Sequence, residues 1–272
     1  MTESFAIVLA GGGERVIAWE TGVLAGLAAR GTDPRRAETV IGTSAGALVA
    51  ARVAAGRDPR EDAGRLAAGV GARRASPDPS PGAAAFARLA GLWSATPGSE
   101  AERRRRIGAL ALQHPGCPER LIERVGRRLA GGPWPAALRV AAVDAVTGER
   151  VALTAADAVP VACGVAASRA IPTVNPPITV NGRRLIDGAV GSATNADLAL
   201  ATPARTVIVI ASFGLELWAA ALEREVQALR TAGREVLVIR PGETDEAAMG
   251  PDPMSAATAP LAVAAGMEAA AA

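Results

Sequence analysis

Apolar residues follow two rhythms along this chain: short unbroken runs, and longer stretches at helical spacing. Phe5–Ala10, Thr39–Gly42, Thr206–Ala211 and Val236–Ile239 are brief apolar runs that read as buried strands. Val16–Arg30 places Val16, Val23, Leu24 and Leu27 on one helical face and stops at Gly31. Ala45–Ala55 predicts a helix whose small side chains permit close approach to a sheet. Pro118–Leu129, Glu216–Ala232 and Pro260–Ala270 predict further helices, the last with proline in its first turn. Leu138–Val143 and Glu149–Leu153 read as strands joined through Asp144–Gly148. Asp157–Ser168 reads as a helix capped by Asp157. Ile178–Val180 and Arg184–Ile186 flank Asn181-Gly182, a two-residue hairpin signal. Successive β-α-β units argue for one α/β layered domain over residues 1–272, with no internal repeat. From 57 to about 117 the rhythm breaks into clustered Pro, Gly, Arg and Ala, relieved by a helical Glu100–Leu112. This stretch is expected to form a helical cap inserted over the working edge of the sheet.

Composition narrows the picture. At 272 residues the chain can bury one large core. Half of it is hydrophobic, much of that alanine, and aromatics make up 3%. Lysine is absent, so all 29 basic residues are arginine, a bias that suggests a GC-rich bacterial genome. The pI near 9.0 reflects arginine's high pKa more than a strong positive field, because the formal charge is only +2. No nucleic-acid partner is expected from it. Cys117 and Cys163 form no metal-binding pattern and read as reduced thiols. The first residues carry no basic region and too short an apolar run for a signal peptide. No run of about 18 uncharged apolar residues occurs. The expectation is a soluble, cytoplasmic protein, with peripheral contact at the inner membrane face left open.

The chemistry concentrates at strand ends. Gly42-Thr43-Ser44-Ala45-Gly46 stands between a strand and a helix, the arrangement that lifts a serine hydroxyl out of the backbone as a nucleophile. Gly42 and Gly46 permit the sharp turn, and the helix N-terminus favours negative charge developing at Ser44. The usual base for such a serine is histidine, yet the chain has one, His114, inside the irregular insert. Asp187, followed by Gly188, is the candidate base; its other reading is a simple Asp-Gly turn. Gly11-Gly12-Gly13 follows the first strand and either forms a cradle of amides for an oxyanion or makes a tight turn and nothing more. A P-loop is excluded by the missing lysine, and a dinucleotide fingerprint fits poorly, with Val16 where a third glycine belongs. Asn195 and Asp197 either brace the Asp187 loop or form turns of their own. Arg103–Arg106 reads as a solvated face or as a contact for anionic headgroups. Trp19, Trp93, Trp134 and Trp218 read as packing.

In this order Leu9–Arg15, Gly42–Gly46 and Asp187-Gly188-Ala189 resemble the three signature blocks of patatin-like phospholipases. Ala167–Pro172, Asn175-Pro176-Pro177 and Gly191–Leu198 extend the resemblance, which covers about residues 4–212. It implies a three-layer α/β/α sandwich with a mainly parallel sheet. It further implies Ser44 as nucleophile, Asp187 as general base, and Gly11, Gly12 and Gly13 as oxyanion-hole donors with Arg15 nearby. Hydrolysis of an acyl ester in a lipid, through an acyl-enzyme and without metal or organic cofactor, is the implied activity. Two departures from the family pattern stand out: Val16 replaces a glycine after Arg15, and Ala189 replaces the second glycine of Asp-Gly-Gly. They keep open an alternative, an idle scaffold that binds an acyl ligand or a protein partner. If position 189 needs a positive φ, Ala189 is strained. The sequence carries no signal for oligomeric state, chain length or headgroup.

Overall fold

A computed structural model of the chain describes residues 4–69, 81–129, 131–211 and 216–271. Strand β1 (Phe5–Leu9) leads into helix α1 (Glu14–Ala29), and β2 (Thr39–Thr43) into α2 (Ala45–Ala54). Helices α3 (Pro59–Ala67), α4 (Pro81–Ala95), α5 (Glu100–Ala111) and α6 (Pro118–Gly126) precede β3 (Leu138–Asp144) and β4 (Arg150–Leu153). The remainder comprises α7 (Val161–Ser168), β5 (Ile178–Val180), β6 (Arg183–Asp187), β7 (Thr206–Ile210), α8 (Glu216–Thr231), β8 (Glu235–Ile239), α9 (Glu243–Met249) and α10 (Ala259–Ala269).

The strands form one sheet in the order β5-β6-β3-β2-β1-β7-β8, with β4 also on β3. The β3-β2-β1-β7-β8 portion is parallel, whereas β4 and β6 run antiparallel to β3 and β5 antiparallel to β6. Side chains alternate across it, as a doubly covered sheet requires. Ile7, Leu9, Val40, Leu138 and Val140 pack into the large core shared with α1, α2, α7 and α10. Val8, Ile41, Val207 and Val209 face the other way, onto Leu222, Val226 and Leu229 of α8. Val143 and Ile186 continue that second face onto Trp93 of α4 and Ile107 and Ala111 of α5. The result is the expected α/β/α sandwich.

Register on β3 positions the site. β2 pairs with β3 up to Thr43↔Ala141, and β4 pairs with Val140–Val143. Sharing Val140 and Ala141, those two strands must occupy opposite edges of β3. β6 pairs with Ala142–Asp144 and shares Ala142 and Val143 with β4, so it lies on the β2 edge. The antiparallel β6 therefore meets parallel β2 end to end, and Asp187, opposite Ala142, arrives one residue beyond Thr43.

Three expectations change. The helix expected from Asp157 begins only at Val161. Pro160 disfavours helical geometry at Val159, Ala158 is left-handed at φ 53°, and Asp157 closes a capping box with Thr154 on a short 3₁₀ turn. The 57–117 insertion is not one cap among its described residues: α3 packs against α1 and α10, while α4 and α5 extend the α8 layer. Residues 70–80 of it lie outside the described residues. In the arginine run, Arg103, Arg104 and Arg106 donate to the carbonyls of Thr96, Gly148 and Pro97 at 2.8, 2.6 and 2.8 Å. Their planar forks fasten α5 to its surroundings. No helix among the described residues is long and apolar enough to cross a membrane.

Candidate active site

Ser44 is held in a conformation that L-residues rarely adopt, φ 50° and ψ −108°, between β2 and α2. Such geometry costs about 1–3 kcal/mol and persists only where the surroundings impose it. The imposition is visible in the glycines on either side. A Cβ on Gly42 would stand 2.5 Å from the Ala47 Cα, and one on Gly46 would strike the Leu9 carbonyl. The Gly46 amide donates to the Ala10 carbonyl at 3.0 Å, tying the elbow to the end of β1. The Ser44 amide donates to Ser168 Oγ at 2.8 Å. Ser168 lies in the quoted Ala167–Pro172 block, but nothing in the residue types alone assigned it this task.

Ser44 Oγ donates to Asp187 Oδ2 at 2.7 Å, across 143 positions of sequence. The Ala189 amide donates to Asp187 Oδ1 at 2.8 Å, and the Asp187 amide to the Ala170 carbonyl at 3.0 Å. Both Asp187 oxygens are thus oriented, and the side chain is almost fully buried. Burial pushes its carboxyl from the usual 3.8 up to about 6, against the pull of the Ala189 amide, the Ser44 hydroxyl and the Arg169 cation. Ala189 does not appear among the positive-φ residues, so the substitution at this position carries no left-handed strain. Gly188 is needed for another reason: a Cβ there would meet the Ala141 carbonyl, and Thr43 Cγ2 at 3.2 Å.

The glycine loop divides. The Gly11 amide donates to the Ala193 carbonyl at 2.7 Å, which removes Gly11 from the expected set of oxyanion donors. Ala193 belongs to the loop that follows Asp187, so this bond joins the two loops. Among the described residues the Gly12 and Gly13 amides meet no acceptor. Gly13 has φ 87° and no room for a Cβ against the Pro253 carbonyl. Arg15, expected near the cradle, instead donates to the Gly250 carbonyl and faces Glu246 and Asp252. Val16 is buried in the main core.

Asn195 bridges the residue before Ser44 to the residue after Asp187. Its Nδ2 donates to Ser192 O at 2.6 Å, Thr43 Oγ1 at 3.1 Å and Gly188 O at 3.4 Å. Opening from Ser44 is a cavity of about 320 Å³, whose wall includes Gly13, Leu121, Ile171, Val174 and Met254. Glu14, Arg124, Arg169 and Asn175 supply polar groups to it. Glu14 is clamped by Arg169 and Arg128; burial raises its pKa, and the two cations outweigh this and hold it below the usual carboxylate range. His114 Nδ1 accepts from the Gly116 amide at 3.0 Å, within its own loop.

The family model described as patatin-like phospholipase matches residues 7–200, an interval that holds the glycine loop, the Ser44 elbow and Asp187. The chain belongs to the patatin-like phospholipase family. Among solved structures, this patatin-like chain is similar to VipD from Legionella pneumophila, with 16% identity and a TM-score of 0.46, over 100% of this chain and 66% of that one. It is similar to the type III effector ExoU, with 14% identity and a TM-score of 0.40, over 98% and 53% of the two chains. ExoU in complex with SpcU, from the type III secretion system of Pseudomonas aeruginosa, matches with 17% identity and a TM-score of 0.38, over 88% and 48%. The patatin-like chain thus spans 66% or less of each of these proteins. No curated protein sequence matches it.

Proposed function

We propose that this protein is a serine acyl-ester hydrolase, acting on a lipid or related acyl ester through a Ser44–Asp187 dyad. The observation that carries the reading is the 2.7 Å hydrogen bond from Ser44 Oγ to Asp187 Oδ2, at a strained elbow that opens on a cavity. Ser44 Oγ attacks the ester carbonyl while its proton passes to Asp187. The Gly12 and Gly13 amides receive the oxyanion; losing one such donor typically costs about 10²–10³ in rate. Collapse expels the alcohol, which takes the proton from Asp187, and leaves an acyl-Ser44. Water then gives a proton to Asp187 and attacks the acyl carbonyl; the second collapse returns that proton to Ser44 and frees the carboxylic acid.

Asp187 works as a base only when ionised, so activity rises with pH through about 6. Leu121, Ile171, Val174 and Met254 suit the acyl chain, and a lipid surface is the proposed source of substrate. The test is a series of p-nitrophenyl esters of graded chain length, run on wild type and Ser44→Ala, with fluorophosphonate labelling alongside. Wild type turns over and is labelled, and the variant does neither. Full turnover by Ser44→Ala would refute the assignment.

A further inference from the structure

We infer that Arg150 is a positioning residue for this dyad: its guanidinium sets the orientation of the Asn195 amide that joins the residue before Ser44 to the residue after Asp187. The inference uses the proposed hydrolase activity for its kinetic readout and the geometry alone for its structural one.

Arg150 opens β4, opposite Val143 of β3. Its Nε donates to Asn195 Oδ1 at 2.9 Å. Its two terminal nitrogens bind Asp197, one of them at 3.0 Å from Oδ2, and the second lies 3.9 Å from Glu225 Oε1. Glu225, on α8 and nearly fully buried, accepts from Thr194 Oγ1 at 2.6 Å and the Ala196 amide at 2.8 Å. The guanidinium fork is therefore fixed by two carboxylates, and one of these is anchored to the same loop. Gly191 makes room for it: a Cβ there would stand 2.9 Å from Arg150 Cγ.

This arrangement admits one orientation of the Asn195 amide. With Oδ1 against Arg150, Nδ2 faces Ser192 O, Gly188 O and Thr43 Oγ1, all as acceptors; the Thr43 hydroxyl spends its own proton on Thr194 O at 3.2 Å. Turned over, the amide would set an oxygen against three oxygens and an NH₂ against a guanidinium. Asn195 is almost fully buried, so water cannot relieve either mismatch. Without Arg150 the buried Oδ1 loses its donor and the amide has no reason to keep Nδ2 on Thr43 and Gly188. Those two residues flank the two halves of the dyad, which meet only because β2 and β6 abut. A small loss of alignment in such a pair is costly; about 1 Å of misplacement can cost about 10²-fold in rate.

The experiment compares wild type, Arg150→Met, Arg150→Lys and Arg183→Met. Arg183 serves as a control because it holds Asp144 at 2.9 Å and Glu149 at 3.3 Å at the far end of β6, with no hydrogen bond to Asn195. Arg150→Met is expected to lower kcat about 10–100-fold with KM unchanged, and to slow fluorophosphonate labelling in proportion. Arg150→Lys recovers part of the loss, since one ammonium cannot span both Asn195 and Asp197. Arg183→Met leaves kcat intact. Adding Asn195→Ala to Arg150→Met costs less than the two single losses combined, as members of one chain should. Wild-type kcat and labelling in Arg150→Met, or an equal kcat loss in Arg183→Met, would overturn the inference. A crystal structure of Arg150→Met decides without any substrate: a displaced Asn195 amide and a broken Ser44–Asp187 contact support it, and an unchanged pair overturns it. Wild type inert to esters and to the fluorophosphonate sinks the hydrolase reading, and the crystal structure still judges Arg150.

Discussion

Replacing Asp187 by asparagine removes a buried charge while keeping the shape of the side chain and an oxygen for the Ala189 amide. Its two consequences have opposite signs. Ser44 loses its proton acceptor, so ester turnover is abolished. Stability rises, and the magnitude follows from the carboxyl itself. In the unfolded chain Asp187 ionises near its usual 3.8, and in the folded protein at about 6. Between these values the native state holds a proton that the unfolded state has released, so wild-type stability falls as pH rises. The interval amounts to about 3 kcal/mol at about 1.4 kcal/mol per tenfold change. Well below 3.8 the group is neutral in both states and the cost vanishes. Asparagine carries no such slope. Glu20 and Glu225, also buried and pushed upward by burial, contribute equally to both proteins and cancel in the difference. Urea unfolding of wild type and Asp187→Asn at pH 4, 5, 6 and 8 should show the variant gaining progressively, levelling near 3 kcal/mol above pH 7. A difference that does not change with pH, or that favours wild type at pH 8, refutes the claim that burial governs this carboxyl.

The neighbours of the dyad give further outcomes. In Arg169→Met the cation that pulls Asp187 downward is gone, so the acid limb of kcat/KM moves to higher pH; an unmoved limb removes Arg169 from the electrostatics of the site. Ser168→Ala leaves the buried Ser44 amide without its acceptor and costs about 1–3 kcal/mol in urea unfolding, with fluorophosphonate labelling slowed as the elbow loosens. His114→Ala keeps wild-type kcat and KM, because the ring bonds within its own loop; a large loss of kcat would point to a third member of the catalytic group.

Strands and helices with one clear rhythm were legible in advance. The apolar run at Phe5, the alanine helix after Ser44 and the Asn181-Gly182 turn all emerge as expected, the last with φ of 48° and 78°. The residues made Asp187 a candidate base beside an open Asp-Gly turn reading, and the resemblance favoured the pairing; strand-end motifs by themselves say nothing of how strands are ordered. What brings the two together is an edge of β3 shared by β2 and β6, a register fact that no local pattern encodes. The glycine loop misled for a related reason: its composition permits three donors, and only tertiary contact shows that Ala193 has taken the first. Arg15 misled too, drawn to a carbonyl of the α9–α10 segment that lies 235 positions away. Arg150 sits in a strand with no motif around it, and nothing short of coordinates connects it to Asn195.

The junction of β2 and β6 also bears on how the molecule comes into being. The strand and helix that carry Ser44 are in place early in the chain, whereas its carboxylate belongs to the later β5–β6 hairpin, which runs in reverse direction beyond β2. Under the proposed mechanism, a chain that has not yet docked β6 holds the Ser44 hydroxyl with no carboxylate to take its proton. The dyad thus waits on one long-range closure, the docking of β6 beyond the end of β2.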